Sequence, residues 1–455
     1  MKKIGKYTIC GLLGQGGMGK VYKISYPVTG KIGALKRLEP NPFLVSLLGL
    51  DTIKAMFTQE AVTMAGIRHP HVAEILDFDS FEGQPYYIME YYCNNLGTMI
   101  GESYETEKKS RIINLDKSID YTRQILSGLS RLHFSGLIHR DIKPFNILVT
   151  DEDQVKICDF GLSKLRNESF KRHASLKVGS PYYAPPEQEK DPDSVDFSSD
   201  LYAVGVMLFR MVTGRLPQPP DILPSRFNND LDPHWDRFIL KASDPDPRNR
   251  YRDAHAMIGD LDELKHRWNK KKQVSCKAPD SLFDDEPTLP DTKRIRSTPL
   301  KISKKDARIT FDTDELMRPR IYTENRFDAL KDQIIHDRTT NLLWQTSGTR
   351  FPVTMVQARE YINHLNSETH AGIATWRLPT TCELLSLINR PPQGKDYCMP
   401  SVFDSNQKWL WSSDLCTFIS AWYVHLELGY AGFNDLTSYY HVKAVADNGI
   451  GLQDR

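Results

Sequence analysis

Long apolar runs are missing from this chain. No uninterrupted apolar stretch approaches the ~18 residues of a membrane-spanning helix, and no signal peptide is recognisable at its start. Cysteine is sparse and scattered, at positions 10, 93, 158, 276, 382, 398 and 416, with no Cys-x-x-Cys pair. An odd count without metal-binding spacing favours reduced thiols in a cytoplasm. Charge of one sign is also lacking in excess: 59 Lys and Arg against 58 Asp and Glu leave a net charge of +1. That balance gives no electrostatic reason to expect nucleic acid or a membrane surface as a principal partner. The expectation is a cytoplasmic protein without a membrane span, whose 455 residues suffice for two or three domains.

What is present begins with His139-Arg140-Asp141-Ile142-Lys143-Pro144-Phe145-Asn146. Asp159-Phe160-Gly161 comes next, its aspartate 18 residues beyond Asp141. A lone Asp or His in a loop is usually a cap or turn residue. Eight positions in one pattern are a different matter. With Asp159 they place a candidate proton acceptor, a cation and two candidate magnesium ligands at the spacing that phosphoryl transfer requires. The moving phosphoryl group carries negative charge that fixed cations must stabilise, and its attacker must lie in line with the leaving oxygen.

Upstream, Gly14-Gln15-Gly16-Gly17-Met18-Gly19-Lys20-Val21 has the G-x-G-x-x-G-x-V spacing. Without Cβ atoms, the backbone amides of such a loop can close over phosphates. Taken alone, the pattern also fits a dinucleotide fold or a plain turn. Its flanks, Tyr7-Thr8-Ile9 and Val21-Tyr22-Lys23-Ile24, read as two strands. A dinucleotide-binding unit would instead open a helix directly after the glycines.

In this order the motifs resemble the protein-kinase family, of the eukaryotic-like (Hanks-type) serine/threonine kind found in many bacteria, over residues 1–268. The resemblance implies an α+β, bilobal fold with a small β-rich lobe and a large helical lobe. ATP would bind beneath Gly14, Gln15, Gly16, Gly17, Met18, Gly19 and Val21 and against Ala34. Along the hinge, Met89 would be the gatekeeper, and Glu90 and Tyr92 would offer backbone groups to adenine. Lys36 would hold the α- and β-phosphates and pair with Glu60; Met56, Glu60 and Met64 share one helical face at four-residue spacing. Asp141 would orient the attacking hydroxyl and take its proton, and Lys143 would neutralise the phosphoryl group. Asn146 and Asp159 would hold magnesium, with manganese as a substitute. The implied reaction moves the γ-phosphate of ATP to Ser or Thr hydroxyls of proteins, with self-association serving autophosphorylation. A lysine two positions after the loop aspartate resembles the serine/threonine branch rather than the tyrosine branch.

Downstream, Gly179-Ser180-Pro181-Tyr182-Tyr183-Ala184-Pro185-Pro186-Glu187 resembles the segment that closes an activation loop, with Pro185-Pro186-Glu187 in place of the usual Ala-Pro-Glu. Glu187 has its expected ion-pair partner in Arg250. Asp200 opens a run apolar on nearly every side, and by resemblance its carboxylate supports the backbone of the His-Arg-Asp turn. Arg140, beside the catalytic aspartate, implies regulation by an anion such as an activation-loop phosphate. No threonine lies between Leu162 and Val178, so the sites to consider are Ser163, Ser169 and Ser175, with Ser180 just beyond. Cys158 should pack at the rear of the nucleotide pocket. A catalytically silent scaffold would be expected to show damage at Lys36, Asp141, Asn146 or Asp159. A small-molecule phosphotransferase would not be expected to keep the full activation segment or the Glu187–Arg250 pair.

The kinase-like part is expected to end in a helix with Met257, Leu261, Leu264 and Trp268 on one stripe. Residues 269–320 are rich in charge, Pro, Ser and Thr, which reads as a flexible polar linker. The corresponding stretch in many bacterial relatives of this kind is a membrane helix; here it is polar, so residues 321–455 should share the compartment of the kinase-like part. Asp284–Thr288 and Ser297–Pro299 are possible phosphorylation segments, weighed against plain solvated spacer.

Residues 321–455 differ in texture, with tryptophan at 344, 376, 409, 411 and 422. Thr354 with Gln357 and Thr380 with Glu383 read as capping boxes of two short helices. Trp422, Val424, Leu426 and Leu428 alternate with Tyr423, His425 and Glu427 as in a half-exposed strand. The motifs Asp337–Trp344, Trp376–Thr380 and Trp409–Ser413 resemble a bacterial domain family of unknown function. That family also closes some collagen-like adhesins and is similar to C-type-lectin-like folds. A compact α+β sensor or binding module is implied, its tryptophans mostly core and its ligand left open.

Overall fold

The computed structural model describes residues 2–102, 108–160, 164–165, 182–191, 195–218, 223–275, 293–388, 398–404 and 407–448. The chain divides into two compact units, one comprising Met1–Ile112 and Asp116–Lys277, the other Ala278–Arg455 with Ile113–Leu115.

In the first unit, β1 (Tyr7–Gln15), β2 (Gly19–Ser25), β3 (Ile32–Leu38), β4 (Ile75–Phe81) and β5 (Gln84–Met89) form an antiparallel sheet. A two-residue strand, Lys3–Ile4, edges β1, and the order continues β1-β2-β3-β5-β4. The glycine-rich segment is thus the β1–β2 turn, as its flanks predict. Gly19 is required by packing, since a Cβ there would lie 2.2 Å from the carbonyl oxygen of Arg37. α1 (Leu50–Ala65) covers one face of the sheet. Alternation along β5 sends Tyr87 toward α1, with Phe57, Ile53 and Ala61, and Tyr86 and Ile88 into a separate cluster with Tyr7 and Leu35.

The helical part contains α2 (Leu115–Phe134), α3 (Phe197–Thr213), α4 (Pro233–Ala242) and α5 (Ala254–Ser275). Every residue of α3 except Phe197 and Tyr202 is buried, as an all-round apolar helix requires. Asp196 caps its start through the N–H of Ser198, and Gly214 ends it at φ 69°. Met257, Leu261, Leu264 and Trp268 are all buried on α5. A short hairpin of β6 (Ile147–Val149) and β7 (Val155–Ile157) joins the His-Arg-Asp and Asp-Phe-Gly segments.

The second unit holds a four-stranded sheet and a three-stranded sheet. In the first, β8 (Phe327–Ala329), β9 (Ile334–Asp337), β10 (Leu342–Gln345) and β14 (Val445–Asp447) are neighbours in that order. The other is β11 (Trp409–Leu415), β12 (Ser420–His425) and β13 (Tyr430–Asp435). Both predicted capping boxes are present, on α6 (Met355–Ser367) and α7 (Thr381–Ser386). All five tryptophans are buried. Trp344 and Trp422 sit in one apolar cluster with Leu384, Leu410 and Val424.

Two expectations need correction. The flexible linker does not extend over 269–320: α5 runs on to Ser275, and residues 293–320 pack into the second unit. Ile302, Ala307 and Phe311 are buried there, the N–H of Ile302 donates to Leu415, and its carbonyl accepts the indole N–H of Trp422. Three apolar side chains among many charges suffice because each fills the core directly. Of the two phosphorylation segments considered, Asp284–Thr288 lies outside the described residues, and in Ser297–Pro299 the residues Thr298 and Pro299 are exposed. The second correction concerns β12, which is buried on both faces. Tyr423 and His425 meet a further aromatic layer of Trp409, Tyr430 and Tyr440.

Candidate active site

Lys36 on β3 faces Glu60 on α1, with Nζ 3.1 Å from Oε1 and both side chains buried. The same ammonium lies 3.1 Å from Asp159 Oδ1, so one cation joins the sheet, the helix and the Asp-Phe-Gly segment. Burial pulls the Lys36 ammonium down, but Glu60, then Tyr87 and Asp159, outweigh it and hold its pKa well above the ordinary lysine value. Lys36 in turn lowers the pKa of Asp159, which stays an anion. Tyr87 donates its hydroxyl to Glu60 Oε1 at 2.8 Å. No motif announces that contact; only its position on β5 opposite Lys36 could have suggested it.

The catalytic loop is built on hydrogen bonds rather than on regular structure. Lys143 Nζ lies 2.7 Å from Asp141 Oδ2. The Asn146 side-chain amide donates to both the carbonyl oxygen and Oδ2 of Asp141, at 2.8 and 3.0 Å. With its nitrogen thus engaged, Asn146 has its side-chain oxygen left as the donor atom for a metal. Below the loop, Asp200 accepts the backbone N–H groups of His139 and Arg140 at 2.9 and 2.8 Å and touches His133 Nε2 at 2.8 Å. Burial opposes the charge on Asp200, but the side-chain hydrogen bond with His133 and the backbone N–H of His139 keep its pKa below the usual aspartate value. His139 accepts the N–H of Asp141 on Nδ1, which assigns the proton to Nε2, donated to the carbonyl of Cys158. The imidazole also packs edge-on against Phe160. Cys158 is buried, and burial, then Asp159, push its thiol far up, so it is a packing residue.

On the hinge side, Met89 ends β5 and Ala34 pairs with it across β3. The N–H of Glu90 donates to Glu74, so of its backbone groups only the carbonyl is available to a base. The Glu90 carboxylate is held by Lys156 at 2.9 Å, a partner that sequence spacing did not reveal. Tyr92 donates its hydroxyl to the other oxygen of Glu90. At Gly14 and Gly16 an added Cβ would meet no described atom within 4 Å. Protein packing therefore does not demand glycine at those two positions.

Glu187 receives Arg250 in a two-pronged ion pair at 2.6 and 2.8 Å, and the Arg250 side chain is fully buried. The Pro-Pro-Glu departure is accommodated at a helix start: Pro186 opens the short helix Pro186–Lys190, where its missing N–H costs nothing. Gln188, on that helix, donates to the carbonyl of Arg140 at 2.8 Å. Gly161, Ser163, Ser169, Ser175 and Ser180 lie outside the described residues.

As to a metal, Asp159 and Asn146 offer hard oxygen donors, and magnesium bound with a nucleotide needs only one or two carboxylates beside the phosphates. The residues fit such an ion. Among the described residues no group of three His, Cys, Asp or Glu side chains could hold one by itself. Nor is any described helix long and apolar enough to cross a membrane.

A sheet-rich part and a helical part with a lysine–glutamate pair, a buttressed aspartate loop and a second aspartate on the same lysine define the class. Residues 7–273 match the protein kinase domain family, and the chain belongs to it. Residues 333–446 match the Lcl C-terminal domain family. Among similar proteins, a probable serine/threonine-protein kinase of Clostridium perfringens is 32% identical over 275 residues, covering 57% of this chain and 38% of that one. Probable serine/threonine-protein kinase PknB of Lactococcus lactis is 32% identical over 271 residues, with 56% and 41% covered. Serine/threonine-protein kinase PksC of Streptomyces coelicolor is 32% identical over 275 residues, with 56% and 48% covered. The chain thus spans less than half the length of these curated relatives.

Proposed function

We propose that this chain is a serine/threonine protein kinase that moves the γ-phosphate of ATP to hydroxyls of protein substrates, itself included. The observation that carries the reading is the undamaged pair of constellations, Lys36–Glu60–Asp159 and Asp141–Lys143–Asn146. Asp141 accepts the proton of the incoming hydroxyl and orients it. Lys143, 2.7 Å from that carboxylate, supplies positive charge where the phosphoryl group passes. Lys36 holds the α- and β-phosphates while Glu60 fixes its direction. The open space above Gly14 and Gly16 suits close backbone approach to phosphates from Gly14 to Gly19, with Val21 and Ala34 above the base and Met89, Glu90 and Tyr92 along its edge. Asn146 and Asp159 hold magnesium, or manganese, which neutralises phosphate charge when bound. The Glu187–Arg250 pair favours a protein acceptor over a small molecule, because it secures the segment on which a polypeptide substrate rests.

Arg140 is the group toward which an activation-loop phosphate, on Ser169, Ser175 or Ser180, would act. The second unit serves as a sensor or recruiting module. The test is transfer of labelled phosphate from ATP to the chain and to a lysate, comparing wild type with Asp141→Asn and Lys36→Met. Equal labelling by the variants would refute the reading. For the second unit, truncation belongs after Lys277 rather than at 321, which would strand Ile302 and Phe311. An unchanged substrate profile after that truncation would remove the recruiting role.

A further inference from the structure

Lys36 and Tyr87 are direct partners across β3 and β5. Residues opposite each other on antiparallel strands point to the same side, with β-carbons about 5 Å apart. Both side chains rise toward α1, and both end on one atom. Lys36 Nζ lies 3.1 Å from Glu60 Oε1, and the Tyr87 hydroxyl donates to that same oxygen at 2.8 Å. The Tyr87 ring packs on Phe57 of α1 with centroids 5.2 Å apart. Lys36, Glu60 and Tyr87 are all buried, so water does not compete for these contacts.

The two donors differ in their other duties. Lys36 also pairs with Asp159, and in the proposed reaction it must turn to nucleotide phosphates. The Tyr87 hydroxyl donates to Glu60, and its ring lies with its centroid 5.6 Å from the Lys36 ammonium. The hydroxyl is neutral, so it can hold the carboxylate without competing with the phosphates for the lysine's charge. Hydrogen bonds to an ionised oxygen are among the stronger ones.

We propose that Tyr87 is a positioning residue that ties α1 to the sheet through Glu60 independently of Lys36. The helix then stays in place while the lysine exchanges Asp159 for phosphates. This deepens the kinase reading and rests on it for its kinetic consequence; the anchor itself is measurable without catalysis.

Tyr87→Phe keeps the ring against Phe57 and deletes only the hydroxyl. Amide hydrogen exchange over residues 50–65 is followed in the full chain without nucleotide, in wild type, Lys36→Met, Tyr87→Phe and the double variant. Lys36→Met alone is expected to keep most of the protection of α1. The double variant should exchange there about tenfold faster or more, with α3 unchanged throughout. In kinetics, Tyr87→Phe should raise KM for ATP by about the same factor and largely spare kcat, because saturating nucleotide repopulates the anchored state. The anchor is overturned if Lys36→Met releases residues 50–65 as fully as the double variant does. It is equally overturned if α3 loses protection in parallel, which marks a general loss of stability, or if KM for ATP is unmoved. A chain that transfers no phosphate at all would sink the functional reading and leave exchange to decide the anchor.

Discussion

Asp200 Oδ1 accepts the backbone N–H of Arg140 at 2.8 Å, and Arg140 sits there at φ 66°. A non-glycine residue in that region costs on the order of 1–2 kcal/mol, so the conformation persists because its surroundings enforce it. Asp200 Oδ2 takes the N–H of His139, and Gln188 holds the carbonyl of Arg140. The turn that presents Asp141 is therefore strained and held on both sides.

Replacing Asp200 with Asn probes this buttress directly. One carboxylate oxygen becomes an NH2 group that must face the N–H of His139 or of Arg140, and the turn relaxes. Misplacing a catalytic group by about 1 Å can cost about 100-fold in rate. Asp200→Asn should lower kcat by that order while ATP affinity changes little. Steady-state kinetics and nucleotide titration check it; an unaltered kcat would show that the buttress is dispensable.

Arg250→Met should destabilise the first unit. It leaves Glu187 with an uncompensated charge in a site that is largely buried, and breaking such a pair costs about 3 kcal/mol or more. Arg250 also donates to the carbonyls of Asp244 and Pro245, so several bonds go together. Urea unfolding of the first unit should record the loss, and a change within about 0.5 kcal/mol would contradict it.

Ile302→Ala tests where the second unit begins. A fully buried isoleucine reduced to alanine loses roughly 2–5 kcal/mol, and Ile302 is 4% exposed. Calorimetry should show the transition of the second unit falling while that of the first stays put. If neither moves, residues 293–320 do not belong to this core.

Lys443 carries a pH dependence. Burial lowers its ammonium to about 7 from an ordinary 10.5, and Asp404 only partly opposes this. The Nζ group donates to the carbonyl of Thr346 at 2.6 Å. Between those two values the unfolded chain binds the proton and the folded chain does not. Stability of the second unit should therefore rise as pH climbs from about 7 toward 10.5, and level off below about 7, where both states bind the proton. Lys443→Met should flatten that slope in thermal melts taken across the range. An equal slope in both proteins would assign the dependence elsewhere.

The motifs were legible because the proposed phosphoryl chemistry calls for particular residues at particular chain separations, and Asp141, Lys143, Asn146 and Asp159 stand at either end of one short hairpin. Both capping boxes were legible for a related reason: Thr354 with Gln357 and Thr380 with Glu383 close within a single helical turn. The Glu90–Lys156 pair was not legible. Its partners are 66 positions apart, and no local pattern links them.

By itself, then, the order of residues determined the glycine turn, the helix caps and the buried stripe of α5, because each depends on neighbours within a few positions. Only the tertiary structure decided that Tyr87 shares an oxygen with Lys36, that 293–320 completes the second core, and that β12 is covered on both sides. Those outcomes depend on which faces meet in space. Burial is a property of the packed whole, and a stretch rich in charge is still held if a few apolar side chains find a cavity that nothing else fills.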